Sequence, residues 1–318
     1  MQVAKQAHPG LVVATHGRHV VVESPDGERR ICHPKGKKNQ AVVGDQVRWA
    51  ISGDEGSIEA VEPRRNLFYR QDEIRTKSFA ANIDQTLILL GAEPEFSERQ
   101  LTRALIAAEA QGIPPLIVLN KSDLTNLFQA AWERLAPYRD MGYTVLGVCL
   151  ARASGGAPSP LDAQELAALT ALNDHLMGRT TLVLGPSGVG KSTLINHWVP
   201  GALVNTNEIS RALNSGKHTT TSTNWYWVDK AKTTALIDSP GFQEFGLHHI
   251  EPTQLAALMP DMRRHLGDCK YYNCTHLHEP GCGVISVIKS APNALYISDS
   301  RYKIYGELFE ELSNTRHW

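Results

Sequence analysis

Gly185-Pro186-Ser187-Gly188-Val189-Gly190-Lys191-Ser192 stands directly after a short apolar run, TLVL at 181–184, and before a helical stretch that begins at Thr193. The pattern G-x-x-x-x-G-K-[ST] in a strand-loop-helix context is a phosphate-binding loop. Its glycines let backbone N–H groups close around an anion at a helix N-terminus, Lys191 neutralises phosphate charge, and the Ser192 hydroxyl completes a Mg²⁺ shell. An ordinary glycine-rich strand-to-helix turn has no packing use for Lys-Ser just behind its last glycine. Residues 185–193 are therefore the candidate phosphate site, and they place this part of the chain among α/β folds with a mainly parallel sheet.

A phosphate loop does not say which nucleotide it holds. Asn120-Lys121-Ser122-Asp123 follows a second apolar run, LIVL at 116–119, at what would be the carboxyl end of a parallel strand. This is the guanine-reading pattern N-K-x-D. An aspartate can accept from both N1–H and the exocyclic amine of guanine, a donor pair that adenine lacks, and a site built for it rejects the analogue strongly. Asp238-Ser239-Pro240-Gly241 follows the run TTALI at 233–237 and reads as D-x-x-G, with Asp238 placed to support Mg²⁺ and Gly241 to sense a γ-phosphate. Between the two lies Gly216-Lys217-His218-Thr219-Thr220-Thr221, where a switch threonine, Thr220 or Thr221, would ligate Mg²⁺ only with the triphosphate bound. A β-prone surface strand is the plain alternative for that run.

The order of these motifs is informative. A guanine nucleotide-binding domain ordinarily runs phosphate loop, switch threonine, D-x-x-G, N-K-x-D, whereas here N-K-S-D comes first. The domain reads as circularly permuted, a rearrangement tolerated when the original termini lie close together at the surface. Its consequence is mechanical, because the segment after Asp238 leads straight into the C-terminal region.

Working outward, Ser97 with Gln100 marks a helix start, and Leu101, Ala104, Leu105 and Ala108 recur at helical spacing up to Gly112 and Pro114. TLILL at 86–90 is a further buried strand, ARASGGAPSP at 151–160 a loop, and LDAQELAALTALNDHL at 161–176 a helix. Upstream of residue 62 the texture is different: LVVAT (11–15), HVVVE (19–23), ERRIC (28–32), DQVRWAI (45–51) and SIEAV (57–61) are short β runs broken by turn residues. Five such strands in about fifty residues predict a small barrel of the OB type.

Downstream, Cys269-x4-Cys274-x-His276-x5-Cys282 gathers three of the five cysteines into fourteen residues. That spacing suits one closed, tetrahedral, structural Zn²⁺ site, with His278 as the alternative fourth ligand. Residues 301–312, RYKIYGELFEEL, then form a helix whose Tyr302, Tyr305, Leu308, Phe309 and Leu312 share a face and pack on the zinc module.

Bulk properties bound the rest. A chain of 318 residues makes two or three domains, and 42% hydrophobic with 20% charged residues is globular. A net charge of -1 excludes a polycation, so any nucleic-acid contact is regional. Residues 1–79 are the basic part, with 13 Lys/Arg against 10 Asp/Glu. Two clusters stand out: Arg29, Arg30, Lys35, Lys37 and Lys38, and then Arg64, Arg65, Phe68, Tyr69 and Arg70 with aromatics interleaved. Both offer phosphate and base contacts to RNA, against the plainer readings of a solvated loop and a linking strand. With no secretory signal and no run of about 18 apolar residues, the expectation is a cytoplasmic protein without a membrane partner, and it is taken as a monomer.

Taken together, barrel, permuted motifs and Cys-x4-Cys-x-His-x5-Cys resemble the bacterial family of small-ribosomal-subunit biogenesis GTPases, over almost the whole chain; Ala81-Asn82-Ile83-Asp84 and Arg301-Tyr302 look like further markers of it. The resemblance implies GTP binding, hydrolysis to GDP stimulated by the small ribosomal subunit, rRNA contacts and a late role in maturation of that subunit. The expected domains are 1–80 (barrel, RNA-binding), 81–247 (permuted GTPase) and 248–318 (zinc-binding and helical). Two departures are visible. Phe242 stands where Ras-type enzymes carry the glutamine that orients the attacking water, which leaves His218 or a ribosomal group to complete the site. Val148-Cys149-Leu150-Ala151 stands where the family's base-supporting loop carries Ser-Ala, with Cys149 in place of the serine.

Overall fold

Alternating apolar residues draw the first five strands into a closed ring. In the computed structural model, which describes residues 7–16, 19–35, 40–72, 76–153, 163–202, 222–239, 245–288 and 296–314, these are β1 (His8–His16), β2 (His19–Glu23), β3 (Arg29–Pro34), β4 (Gln46–Ser52) and β5 (Glu55–Val61). Strand β1 pairs with both β2 and β4, β3 runs parallel to β5, and β5 is antiparallel to β4, so the ring closes as β1-β2-β3-β5-β4. Val12, Val20, Val22, Cys32, Val47, Trp49 and Ile58 fill it, each at most 5% exposed. The predicted OB-type barrel is present, with β2 and β4 as long as the β runs that announced them and β1, β3 and β5 longer.

A hairpin that the sequence pattern did not announce follows: β6 (Leu67–Gln71) and β7 (Thr76–Ala81). It carries the second basic cluster, which the sequence reading left open between an RNA surface and a linking strand. Phe68 is fully buried against Phe79 and Phe245, with ring centroids 6.0 and 5.5 Å away. Arg64 is clamped on the buried Asp45 (2.7 and 2.8 Å), and Arg65 on Asp84 (2.7 Å) and the Asn82 carbonyl (2.9 Å). These contacts fasten the barrel to what comes next, the part that the linking reading assigns to the cluster. In the first cluster Arg29, Arg30 and Lys35 pair with Glu23, Glu28 and Glu59, while Lys37 and Lys38 lie outside the described residues.

Next comes the central sheet, ordered β10-β9-β8-β11-β13-β12: β8 (Gln85–Gly91), β9 (Pro115–Asn120), β10 (Thr144–Val148), β11 (Thr180–Leu184) and β13 (Ala235–Asp238) are parallel, and β12 (Thr223–Trp227) is antiparallel at the edge. Each parallel strand is apolar on both faces. Ile88, Leu90, Ile117 and Leu119 meet α1 (Glu98–Ala110), α2 (Thr125–Arg134) and α3 (Ala136–Asp140). Leu87, Leu89, Leu116 and Val118 meet α5 (Ala163–Leu176) and α6 (Lys191–Trp198). As predicted, Ser97 caps α1, its hydroxyl accepting from the Gln100 N–H (3.3 Å). Strand β12 also pairs with β1, Ala14 opposite Asn224 and Thr15 opposite Thr223, which sews the barrel onto the sheet edge.

Two differences from the sequence reading have a local cause. Leu150–Ala153 is a helical turn, α4, where composition predicted loop from 151, because Leu150 is buried and Ala-Arg-Ala favours helix. Thr233 and Thr234 stay out of β13 because their N–H and hydroxyl groups cap Asp229 (2.7 to 3.1 Å).

The C-terminal region contains short helical turns at Pro252–Gln254, Ala256–Leu258 and Leu266–Asp268, then α7 (Pro260–Arg263), α8 (Gly283–Ile288) and α9 (Asp299–Asn314). As expected, α9 docks on the cysteine module: the Tyr302 hydroxyl donates to the His276 carbonyl (2.8 Å) and the Tyr305 hydroxyl to the Thr275 carbonyl (2.7 Å). Among the described residues no helix is long and apolar enough to cross a membrane.

Candidate nucleotide site and metal centre

Strand β11 ends in a backbone that only glycine supports cheaply. Gly188 and Gly190 have φ of 80 and 105°, and a Cβ on Gly190 would lie 2.5 Å from Asn120 Nδ2. Gly190 caps α6, whose first residues are Lys191, Ser192 and Thr193. The Lys191 ammonium folds back over the loop and donates to the carbonyls of Gly185 and Pro186, both at 2.7 Å. Burial holds its pKa below the ordinary lysine value, so an anion arriving here recovers charge stabilisation that the loop carbonyls supply only in part. Pro186 is half-buried, Ser187 and Ser192 are exposed, and Val189 is buried beneath the loop.

Next to β11, the register sets Val183 opposite Asp238 at the end of β13. Burial pushes the Asp238 carboxyl up to about 6, against the pull of Lys191. A partly desolvated carboxylate beside a helix N-terminus fits a divalent cation. The neighbouring Ser239 hydroxyl donates to the Val183 carbonyl (3.2 Å) and locks the end of the strand. His218, Thr220, Thr221, Gly241 and Phe242 lie outside the described residues.

Asn120 ends β9 and joins the two motifs. Its amide donates to the Val189 carbonyl inside the phosphate loop (2.8 Å), and its Oδ1 accepts from the Leu150 N–H (2.9 Å). Lys121 takes a left-handed φ of 72°, which turns the chain so that Ser122 N–H reaches the Val148 carbonyl (3.1 Å) and Asp123 faces solvent. The buried Cys149 thiol donates to Asp123 Oδ1 (3.1 Å), the hydrogen bond that the expected serine would make. Phosphate loop, Asp238 and Asp123 thus share one rim, the carboxyl ends of parallel strands, where α/β sheets hold ligands. Sequence reasoning missed the clasp from Asn120 to Val189 because it spans 69 positions; no local signal announces it.

Behind the rim, the polypeptide emerging after Gly241 is gripped by the β6–β7 hairpin. The Gln71 N–H donates to the Gly246 carbonyl (3.1 Å), and the His248 N–H to the Gln71 carbonyl (3.0 Å). A side chain on Gly246 would meet the Gln71 carbonyl at 2.4 Å.

In the C-terminal module the Sγ atoms of Cys269, Cys274 and Cys282 and a ring nitrogen of His276 lie within 4.8 Å of one another. His276 Nδ1 is 3.5 Å from both Cys269 Sγ and Cys282 Sγ, and these sulfurs are 4.0 Å apart. Tetrahedral zinc, with bonds near 2.3 Å to sulfur and 2.0–2.1 Å to nitrogen, requires edges of about 3.6 and 3.8 Å. The set therefore fits zinc. Burial and its thiol neighbours push Cys274 up to about 12, an arrangement that makes sense if a cation holds the sulfurs as thiolates. His278 is exposed and outside the cluster, and His276 is the histidine that lies within it.

Fold and site together define a circularly permuted GTPase with an N-terminal barrel and a C-terminal Cys₃His module. The chain belongs to the RsgA GTPase family: that family's model matches residues 61–248, and the small ribosomal subunit biogenesis GTPase RsgA of Variovorax paradoxus is 66% identical over 314 residues, 99% of this chain and 95% of that one. The protein of the same description from Ralstonia pickettii is 45% identical over 320 residues, 100% of this chain and 96% of its own. Among solved structures, YjeQ from Thermotoga maritima matches with a TM-score of 0.69 at 26% identity, covering 97% of this chain and 99% of its own. YloQ, a circularly permuted GTPase, shares the fold with a TM-score of 0.66 at 24% identity, over 100% and 99% of the two chains. The protein is accordingly a GTP hydrolase.

Proposed function

We propose that the protein binds the small ribosomal subunit in the cytoplasm as a monomer, contacts its rRNA through barrel and zinc module, and uses GTP hydrolysis to time late maturation and its own release. The observation that carries this reading is the 66% identity, spread over 99% of the chain, to a protein named for that process. We take the working units as residues 1–80, 81–247 and 248–318.

In this reading Asp123, steadied by Cys149, selects guanine together with Asn120, Lys121 and Ser122. The loop 185–193 wraps the phosphates, and Lys191 leaves its loop carbonyls to stabilise charge on them. Mg²⁺, when bound, neutralises phosphate charge; Ser192, Asp238 and a switch threonine at 220 or 221 hold it. Gly241 senses the γ-phosphate. Phe242 cannot orient water, so intrinsic turnover is slow, and His218 or a group from the subunit completes the site. Because the segment after Gly241 is hydrogen-bonded to Gln71, a shift there pulls on the hairpin that joins the barrel to the sheet. Zn²⁺, one per chain, is structural.

The test is GTP turnover by purified protein alone and with small subunits, with ATP and large subunits as controls. Strong stimulation confined to GTP and small subunits is expected; turnover indifferent to subunits would remove the timer.

A further inference from the structure

Among the described residues the exposed large aromatic side chains are Tyr271, Tyr272 and Tyr296, all in the C-terminal module. Tyr272 is 103% exposed, so the protein leaves its ring uncovered. It sits at the tip of a tight turn closed by the Cys274 N–H donating to the Tyr271 carbonyl (3.3 Å). Both sides of this turn are anchored. Cys269 and Cys274 belong to the Cys₃His cluster, and the Lys270 N–H donates to the Gly281 carbonyl (3.0 Å). A ring presented on so short and pinned a turn costs little conformational entropy to immobilise further.

The surroundings of that ring identify its partner. Lys270, Tyr271 and Asn273 are exposed beside it, and the Lys270 ammonium lies 5.4 Å from the Tyr271 ring centroid. The residues just before the turn, Gly267 and Asp268, are exposed and not apolar either. A protein-docking aromatic is ringed by apolar neighbours that exclude water. Here the ring has instead a cation that suits phosphate and an amide that suits a base edge, the combination used on single-stranded RNA. A duplex buries its base faces in its own stack, so an unpaired base is required.

We propose that Tyr272 is a stacking platform for an unpaired RNA base, with Lys270 on the adjoining phosphate. This deepens the reading that the protein contacts rRNA and rests on it. Neither residue belongs to the nucleotide rim, so basal GTP turnover stays unchanged when they are altered.

The experiment uses full-length, zinc-loaded protein, with zinc content and melting temperature checked for every variant. Affinity is measured for a fluorescent 12-nucleotide single-stranded RNA of mixed sequence and for purified small subunits. Tyr272→Ala is expected to weaken both by about tenfold and Tyr272→Phe by less than twofold. Lys270→Ala is expected to reduce the slope of log affinity against log salt by about one. Undiminished RNA binding by Tyr272→Ala overturns the platform. So does a wild-type protein that binds subunits but not the oligonucleotide, or a Tyr272→Ala variant impaired on subunits alone, either of which would mark a protein-facing surface. Wild-type protein that binds neither ligand overturns the functional reading itself.

Discussion

Asn120 and Val189 are joined by a 2.8 Å hydrogen bond that ties the end of the guanine-reading strand to the interior of the phosphate loop. The same carboxamide holds the Leu150 N–H, so one side chain sets the spacing of base loop, phosphate loop and the loop carrying Cys149. In a permuted chain, where these segments are 30 and 69 positions apart, nothing covalent nearby does this job.

Replacing Asn120 by alanine strands a buried carbonyl and a buried N–H, at a cost of about 1–3 kcal/mol in folding free energy. GDP affinity is expected to fall at least tenfold, since the loop loses its brace. Gly190→Ala should also lose nucleotide, because its Cβ enters the space of the Asn120 amide and its φ of 105° resists a side chain. Titration with a fluorescent GDP analogue and urea denaturation check both; an Asn120→Ala variant that binds GDP like wild type would show the brace to be dispensable.

Much of this site was legible because phosphate and guanine impose local rules. Gly-Lys-Ser and Asn-Lys-x-Asp need their residues in one short segment, and so do Cys269, Cys274, His276 and Cys282. The β6–β7 hairpin was not legible: Phe68 is apolar and Arg64 and Arg70 are charged, a mixture that reads equally as an RNA surface. What gives Arg64 and Phe68 their structural role is Asp45, 19 positions from Arg64, and Phe245, far beyond Phe68 in sequence. Strand β12 was hidden for a related reason. Its Thr-Asn-Trp-Tyr-Trp has no clean alternation because Trp225 and Tyr226 pack into cores on opposite faces of the sheet.

Asp238 gives a pH dependence of known sign. Its carboxyl titrates near 6 in the folded chain against about 3.9 when unfolded, so between those values the native state holds a proton that the unfolded chain has released. Stability of the nucleotide-free protein therefore falls as pH rises through this window, by roughly 1–3 kcal/mol. Asp238→Asn is expected to melt a few degrees above wild type at pH 7.5 and to match it near pH 4, while losing the stabilisation that Mg²⁺ with GDP gives wild type. Thermal melts across pH test this, and equal melting of the two at pH 7.5 would contradict it.

The metal centre makes a stoichiometric prediction. Elemental analysis should find one zinc per chain in wild type and in His278→Ala, and much less in His276→Ala and Cys282→Ser. Because burial pushes the Cys274 thiol up and a thiol must give up its proton to ligate zinc, zinc loading at neutral pH releases protons, measurable in weakly buffered solution. Zinc lost from His278→Ala but kept by His276→Ala would reverse the ligand assignment. Chelation should also loosen α9, whose Tyr302 and Tyr305 hydroxyls hang on carbonyls of the metal loop.

Arg301 should be the residue on which docking of the C-terminal module depends most. It is 2% exposed; its Nε and Nη2 donate to the two Asp261 oxygens (2.8 and 3.0 Å), and its Nη1 to Thr102 Oγ1 in α1 (2.7 Å). Its guanidinium also lies 5.3 Å from the Tyr138 ring in α3. A buried pair of this kind adds little relative to apolar packing, but breaking it strands the remaining charge, typically at 3–5 kcal/mol. Arg301→Met is thus expected to destabilise strongly through the uncompensated Asp261, and Arg301→Met with Asp261→Leu to recover most of the loss. Arg301→Lys should not rescue, because one ammonium cannot serve two carboxylate oxygens and Thr102 in the geometry of the fork. Chemical denaturation of the three variants decides the matter. If the single and double variants are equally unstable, the guanidinium's packing against Tyr138, and not its charge, is what holds α9 on the GTPase sheet.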